Sequence, residues 1–95
     1  MKTIYVVYFD WAFNGGSDQG YVGIYERKED AINRMERYWE DEKRMDYFEK
    51  FDVFDDTEMT RTAWTDYEYS DRHSEVRVYE ETLYSHDDIL NDLDV

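Results

Sequence analysis

Two histidines and one cluster of carboxylates are the first places to look for chemistry in this chain. His73 and His86 each lie beside acids, but a metal site needs three or four converging ligands, and neither histidine belongs to a spacing that supplies them. Asp52, Asp55, Asp56 and Glu58 fall within seven residues. A calcium loop needs acids at alternate positions followed by glycine; Val53 and Phe54 interrupt that pattern and no glycine follows. Gly15-Gly16 lacks the Lys-Ser/Thr pair of a phosphate-binding loop, and no strained serine elbow is present. The absence of cysteine removes disulfides, thiolate ligands and cysteine nucleophiles together. With 25 acids in 95 residues, carboxylates come close by chance, and nothing marks one pair as catalytic. The expectation is a protein that is not an enzyme and carries no metal or cofactor.

Charge is the more informative property. The formal net charge is −14, distributed as −1 over residues 1–39, −5 over 40–65 and −8 over 66–95. A chain this acidic is repelled by nucleic acid and by anionic lipid, and is drawn to basic protein surfaces. The apolar start, Met1 to Phe9, meets Asp10 before signal-peptide length and shows no small-residue cleavage site. No stretch approaches the roughly 20 apolar residues of a membrane helix. A cytoplasmic, non-membrane protein is expected.

The elements that must carry these charges can be read from periodicity. Ninety-five residues suit one domain, 1–95, with a single modest core. Ten Tyr, five Phe and three Trp make that core aromatic and argue against disorder. Thr3 to Trp11 is apolar on both faces, as an interior strand would be, and Asn14-Gly15-Gly16-Ser17 supplies the turn into a returning strand at Tyr21 to Tyr25. From Lys28, Ala31, Ile32, Met35, Tyr38, Trp39 and Met45 recur at helical spacing, predicting one long helix to about Glu49. Residues 52–58 read as a short strand or an irregular connection. Thr62 to Tyr69 and Glu75 to Tyr84 form a second hairpin around a turn at Asp71 to Ser74, and Ser85 to Val95 forms a short acidic helix or tail. The fold class is therefore α+β in ββαββ order: a four-stranded, mainly antiparallel sheet with one long covering helix.

One helix covers one face of such a sheet. If Ile4, Val6, Val22 and Ile24 face the helix, then Tyr5, Phe9, Trp11, Tyr21 and Tyr25 populate the other face and form a contact surface. Base stacking on that surface is opposed by phosphate repulsion. The alternative is that the loop after the helix, or a second copy of the chain as in a structural homodimer, covers it. Carboxylates held on strands and helices can imitate the charge pattern of DNA. Asp66 and Glu68 on one strand, Glu75, Glu80 and Glu81 on the next, and Glu40, Asp41, Asp46 and Glu49 on the helix are the candidates. Trp11, Trp39, Trp64, Tyr67 and Tyr69 are the candidate aromatic anchors.

In short length, absence of cysteine and richness in Tyr, Trp and acids, the chain resembles the small acidic anti-CRISPR and anti-restriction proteins of phages that act as DNA mimics. The segments Ile4-Tyr5-Val6-Val7-Tyr8, Val22-Gly23-Ile24-Tyr25 and Glu29-Asp30-Ala31 are similar to small bacterial and phage proteins that begin with a hairpin and a helix. The resemblance implies an inhibitor that docks on the basic DNA channel of a CRISPR effector or restriction nuclease, in the cytoplasm of a host bacterium, with its acids opposite Arg side chains. The other function class is an acidic antitoxin or immunity protein that neutralises one cognate partner.

Overall fold

The computed structural model describes residues 2–13, 15–65 and 72–83. Among them the chain runs β1 (Lys2–Phe13), β2 (Gly16–Tyr25), α1 (Lys28–Lys43), a 3-10 helix (Asp46–Lys50), β3 (Val53–Asp56), β4 (Thr60–Trp64) and β5 (His73–Leu83). The five strands form one antiparallel sheet in the order β2-β1-β5-β4-β3. The α+β class therefore holds, with five strands where four were expected. The segment that reads as strand or connection is β3; the expected antiparallel pairing of β4 with β5 is present, and β3 adds a further hairpin with β4. Its turn is closed by the Thr57 N–H donating to Thr60 O at 3.0 Å and by the two hydroxyls, 2.6 Å apart. The expected turn at Asp71 to Ser74 gives way, at His73 and Ser74, to the start of β5, with Ser74 buried. The expected C-terminal helix or tail lies outside the described residues, and no described helix is long and apolar enough to cross a membrane.

The first hairpin turns at Gly15, whose φ of +84° favours glycine. Further along, Phe9 lies over Gly20, where an added Cβ would meet its ring at 3.1 Å, so the missing side chain makes room for the aromatic one. Between Val7 and Tyr8 the β1–β2 register shifts, pairing Val7 with Gly23 and Tyr8 with Tyr21. Such a bulge re-aims the strand that carries it.

Ala31, Met35 and Trp39 recur every four residues and put one stripe of α1 against the sheet. The stripe packs with Val7, Val76, Val78 and Ala63 in the core. The helix stops at Lys43, six residues before the expected end. At about 100° per residue, a helix continued to Phe48 would place it roughly opposite Trp39, facing solvent. Breaking at Arg44 and Met45 lets the 3-10 helix swing Phe48 back to 5.4 Å from the Trp39 ring, with Phe51 5.4 Å from Phe48. Met45, expected on the apolar stripe, is left 52% exposed.

On β1, and for Ile24 and Tyr25 of β2, the facing is the reverse of the one assumed from sequence, whereas Val22 on the helix side and Tyr21 on the other, beyond the register shift, are as expected. Tyr5, Val7, Phe13, Val22 and Tyr25 pack against the helix-side core, and Phe9 stacks on Tyr38 of α1 at 5.7 Å. Ile4, Val6, Tyr8, Tyr21 and Ile24 are on the other face. Both β1 faces are apolar, so the alternation predicts two faces without assigning either to the helix.

Candidate interaction surface

Cross-strand partners share a face, so register places the side chains on the side opposite α1. One row runs Tyr21, Tyr8, Arg77 and Thr60 across β2, β1, β5 and β4. The next runs Gln19, Asp10, Glu75, Thr62 and Asp55 across all five strands, and a third runs Ser17, Ala12, His73, Trp64 and Val53. On the other side of the tyrosine row, Ile24, Val6 and Tyr79 are aligned, followed by Ile4 with Glu81. The outcome is a surface on which rings and carboxylates alternate over a rigid backbone.

Its centre is a tyrosine cluster. The Tyr8 ring meets Tyr21 edge-on at 5.6 Å and Tyr79 at 6.4 Å. The Arg77 guanidinium lies 5.5 Å from the Tyr8 centroid and 6.0 Å from that of Tyr79. Tyr79 is also hydrogen-bonded to Tyr21, and desolvation with that bond pushes its phenol up to about 12, so it stays neutral. Tyr21 and Ile24 are 67% and 61% exposed. Around the cluster, Glu75 approaches Arg77 at 3.8 Å and Asp10 lies 3.4 Å from His73 Nε2. Asp10, Ser17, Asp18 and Gln19 line a polar hollow at the hairpin end. Among the described residues no group of three or more His, Asp or Glu is placed to hold a metal ion.

The candidate residues divide between the faces. Glu75, Glu81 and Trp64 share the open face, whereas Glu80 pairs with Tyr5 and Trp11 with Ser74 on the helix side. Glu80 therefore does not stand beside Glu75 and Glu81, because strand alternation separates odd from even positions. Glu40 and Asp41 are exposed on α1 but are partnered, Glu40 with Lys43 at 3.2 Å and Asp41 with Arg44 at 3.9 Å. Arg61 likewise engages Glu36. Asp46 and Glu49 are exposed on the 3-10 helix. Trp39 is buried in the core, so it is no surface anchor. Asp66, Tyr67, Glu68 and Tyr69 lie outside the described residues.

Sequence reasoning missed Tyr8, Asp10, Arg77 and Tyr79. The odd-numbered run Glu75, Arg77, Tyr79, Glu81 was legible as one face of a strand. Its alignment with the even-numbered run Asp10, Tyr8, Val6, Ile4 required the β1–β5 register. No protein-family model, no curated protein and no solved structure matches the chain.

Proposed function

We propose that this chain is a non-catalytic binding inhibitor of a basic, nucleic-acid-handling protein, of the anti-CRISPR or anti-restriction kind, and that it occupies the partner's DNA channel as a DNA mimic in the bacterial cytoplasm. The observation that carries the reading is the open sheet face, where the Tyr8, Tyr21 and Tyr79 cluster is interleaved with Asp10, Glu75, Glu81 and Asp55. Exposed rings beside carboxylates suit a partner surface rich in Arg and Lys. The helix contributes less, since Glu36, Glu40 and Asp41 are answered by Arg61 of β4, Lys43 and Arg44. All 11 Lys and Arg lie among the described residues, against 18 of the 25 acids, so the described residues carry a formal net charge of −7.

Spacing decides how the mimicry would work. Neighbouring strands are about 4.8 Å apart, so Asp10 and Glu75 sit one strand apart and Asp55 two strands further on. Duplex DNA carries one charge per about 1.7 Å of axis. The carboxylate pattern is sparser than the duplex it would replace. Affinity must come mainly from the aromatic cluster, with the acids steering and orienting the encounter.

The test is a tagged pull-down from bacterial lysate at about 0.15 M salt, where steering still operates over about 8 Å, followed by elution with duplex DNA. Capture of a DNA-handling protein that duplex DNA releases supports the inhibitor. Capture of one protein indifferent to DNA replaces it with the immunity-protein reading, and an empty pull-down removes the partner altogether.

A further inference from the structure

We infer that the open face reads arginine rather than lysine: the rings of Tyr8 and Tyr79, with the carboxylate of Glu75, form a guanidinium site that the protein's own Arg77 holds until a partner's arginine replaces it. The inference rests on the proposed reading of a basic partner and specifies the chemistry by which that partner is recognised.

Arg77 shows what the surface accepts. Its guanidinium lies within 6.0 Å of two ring centroids and 3.8 Å from a Glu75 oxygen. A planar, weakly hydrated cation gains from both a ring face and a carboxylate, whereas an ammonium is a compact point charge that keeps its water. The occupant is held loosely. Its contact with Glu75 is longer than a hydrogen bond, and its side chain is 52% exposed. Replacing it with an incoming arginine therefore breaks no tight interaction. Tyr21, edge-on to Tyr8 and mostly exposed, adds a third ring at which Arg77 makes no contact. Asp10 and Glu81 supply charge on either side, one in the row next to Arg77 and the other beyond Tyr79. An arginine-bearing segment of a protein is thus the complementary occupant in both shape and charge.

The experiment titrates the full chain with capped hexa-arginine and hexa-lysine peptides at about 0.15 M salt, where the equal charge of the two peptides cancels bare charge attraction from the comparison, and follows amide shifts by NMR. Hexa-arginine should bind about fivefold more tightly than hexa-lysine, the scale of one or two cation–π contacts. Tyr8→Leu and Tyr79→Leu should erase that preference, and Arg77→Ala should tighten hexa-arginine binding several-fold. Equal affinity for the two peptides, or weaker hexa-arginine binding by Arg77→Ala, overturns the inference. If either tyrosine variant fails to fold, the exposed Arg77→Ala change carries the test. The peptides contain no cognate partner. Arginine preference without a DNA-displaceable capture would therefore reject the inhibitor and keep the site, while the opposite pair of results would reject the site and keep the inhibitor.

Discussion

The two faces of the sheet are made by alternate residues of the same strands, yet they are held by different physics. On the helix side, Val7, Val76 and Ala63 are fully buried against Ala31, Met35 and Trp39, and the polar exception among the described residues is Ser74, whose hydroxyl has no hydrogen-bond partner among them. On the other side, Ile4 and Val6 are buried, Tyr8, Tyr21 and Tyr79 make edge-on contacts, and Ile24 and Leu83 stay exposed. Close packing makes the first face intolerant of volume change. On the second face the exposed Tyr21 can be lost with little effect on folding, while Ile4 and Val6 are part of what holds it. The helix side specifies the fold, and the exposed part of the other side is free to specify a partner.

Substitutions should separate the two. Trp39→Ala removes the largest ring of the buried stripe and its contact with Phe48, and should cost about 3–5 kcal/mol in urea unfolding. A loss under about 1 kcal/mol would mean that the helix-side core is not the structural one. Adjacent residues of β4 give a sharper contrast. Ala63→Leu overpacks the buried side and should cost about 1–3 kcal/mol, whereas Thr62→Val, one residue away on the open face, should stay within about 0.5 kcal/mol.

Glu42 tests the margin between covered and solvated surface. Its Oε2 is buried with no partner among the described residues, and burial, opposed in part by the Tyr38 hydrogen bond, raises its pKa above the usual carboxylate value. A carboxyl with a raised folded pKa contributes its stability below the unfolded pKa of about 4.3 and loses it as pH rises through the folded value. Glu42→Gln should therefore raise the melting temperature slightly at pH 7, by an increment that shrinks toward zero as the pH falls to about 4. A gain that is the same at both pH values would show that packing, not charge, is responsible. The smallest effect belongs to the exposed cluster. Tyr21→Ser should leave stability within about 0.5 kcal/mol while weakening any arginine-bearing ligand, and a large stability loss would show that the open face is structural too.

Much of this was legible in the chain. The first hairpin, with its glycine turn, and the start of α1 followed from composition and period, as did an aromatic core. The helix end was not, because local spacing continued an apolar stripe through Met45, and the reason to stop lay in Phe48 finding Trp39 across the break, with Phe51 behind Phe48. The fifth strand was left open between strand and connection for a similar reason. Val53 to Asp56 is four residues long and half acidic, and only the pairing with β4 makes it a strand. Of the candidate contact residues, Glu75, Glu81 and Trp64, named for their charge or ring, lie on the open face, while Tyr8, Arg77 and Tyr79 waited on register.

By itself the sequence determined the acidity, the α+β class and the periodicities that split each element into two sides, because these are properties of neighbouring residues. It could not say which side of β1 meets the helix, because Ile4, Val6 and Tyr8 are as apolar as Tyr5, Val7 and Phe9. That choice was made by the tertiary structure. Val7 and Val76, far apart in sequence, pack with Trp39 on one side, which leaves Tyr8, Tyr79 and Arg77 together on the other.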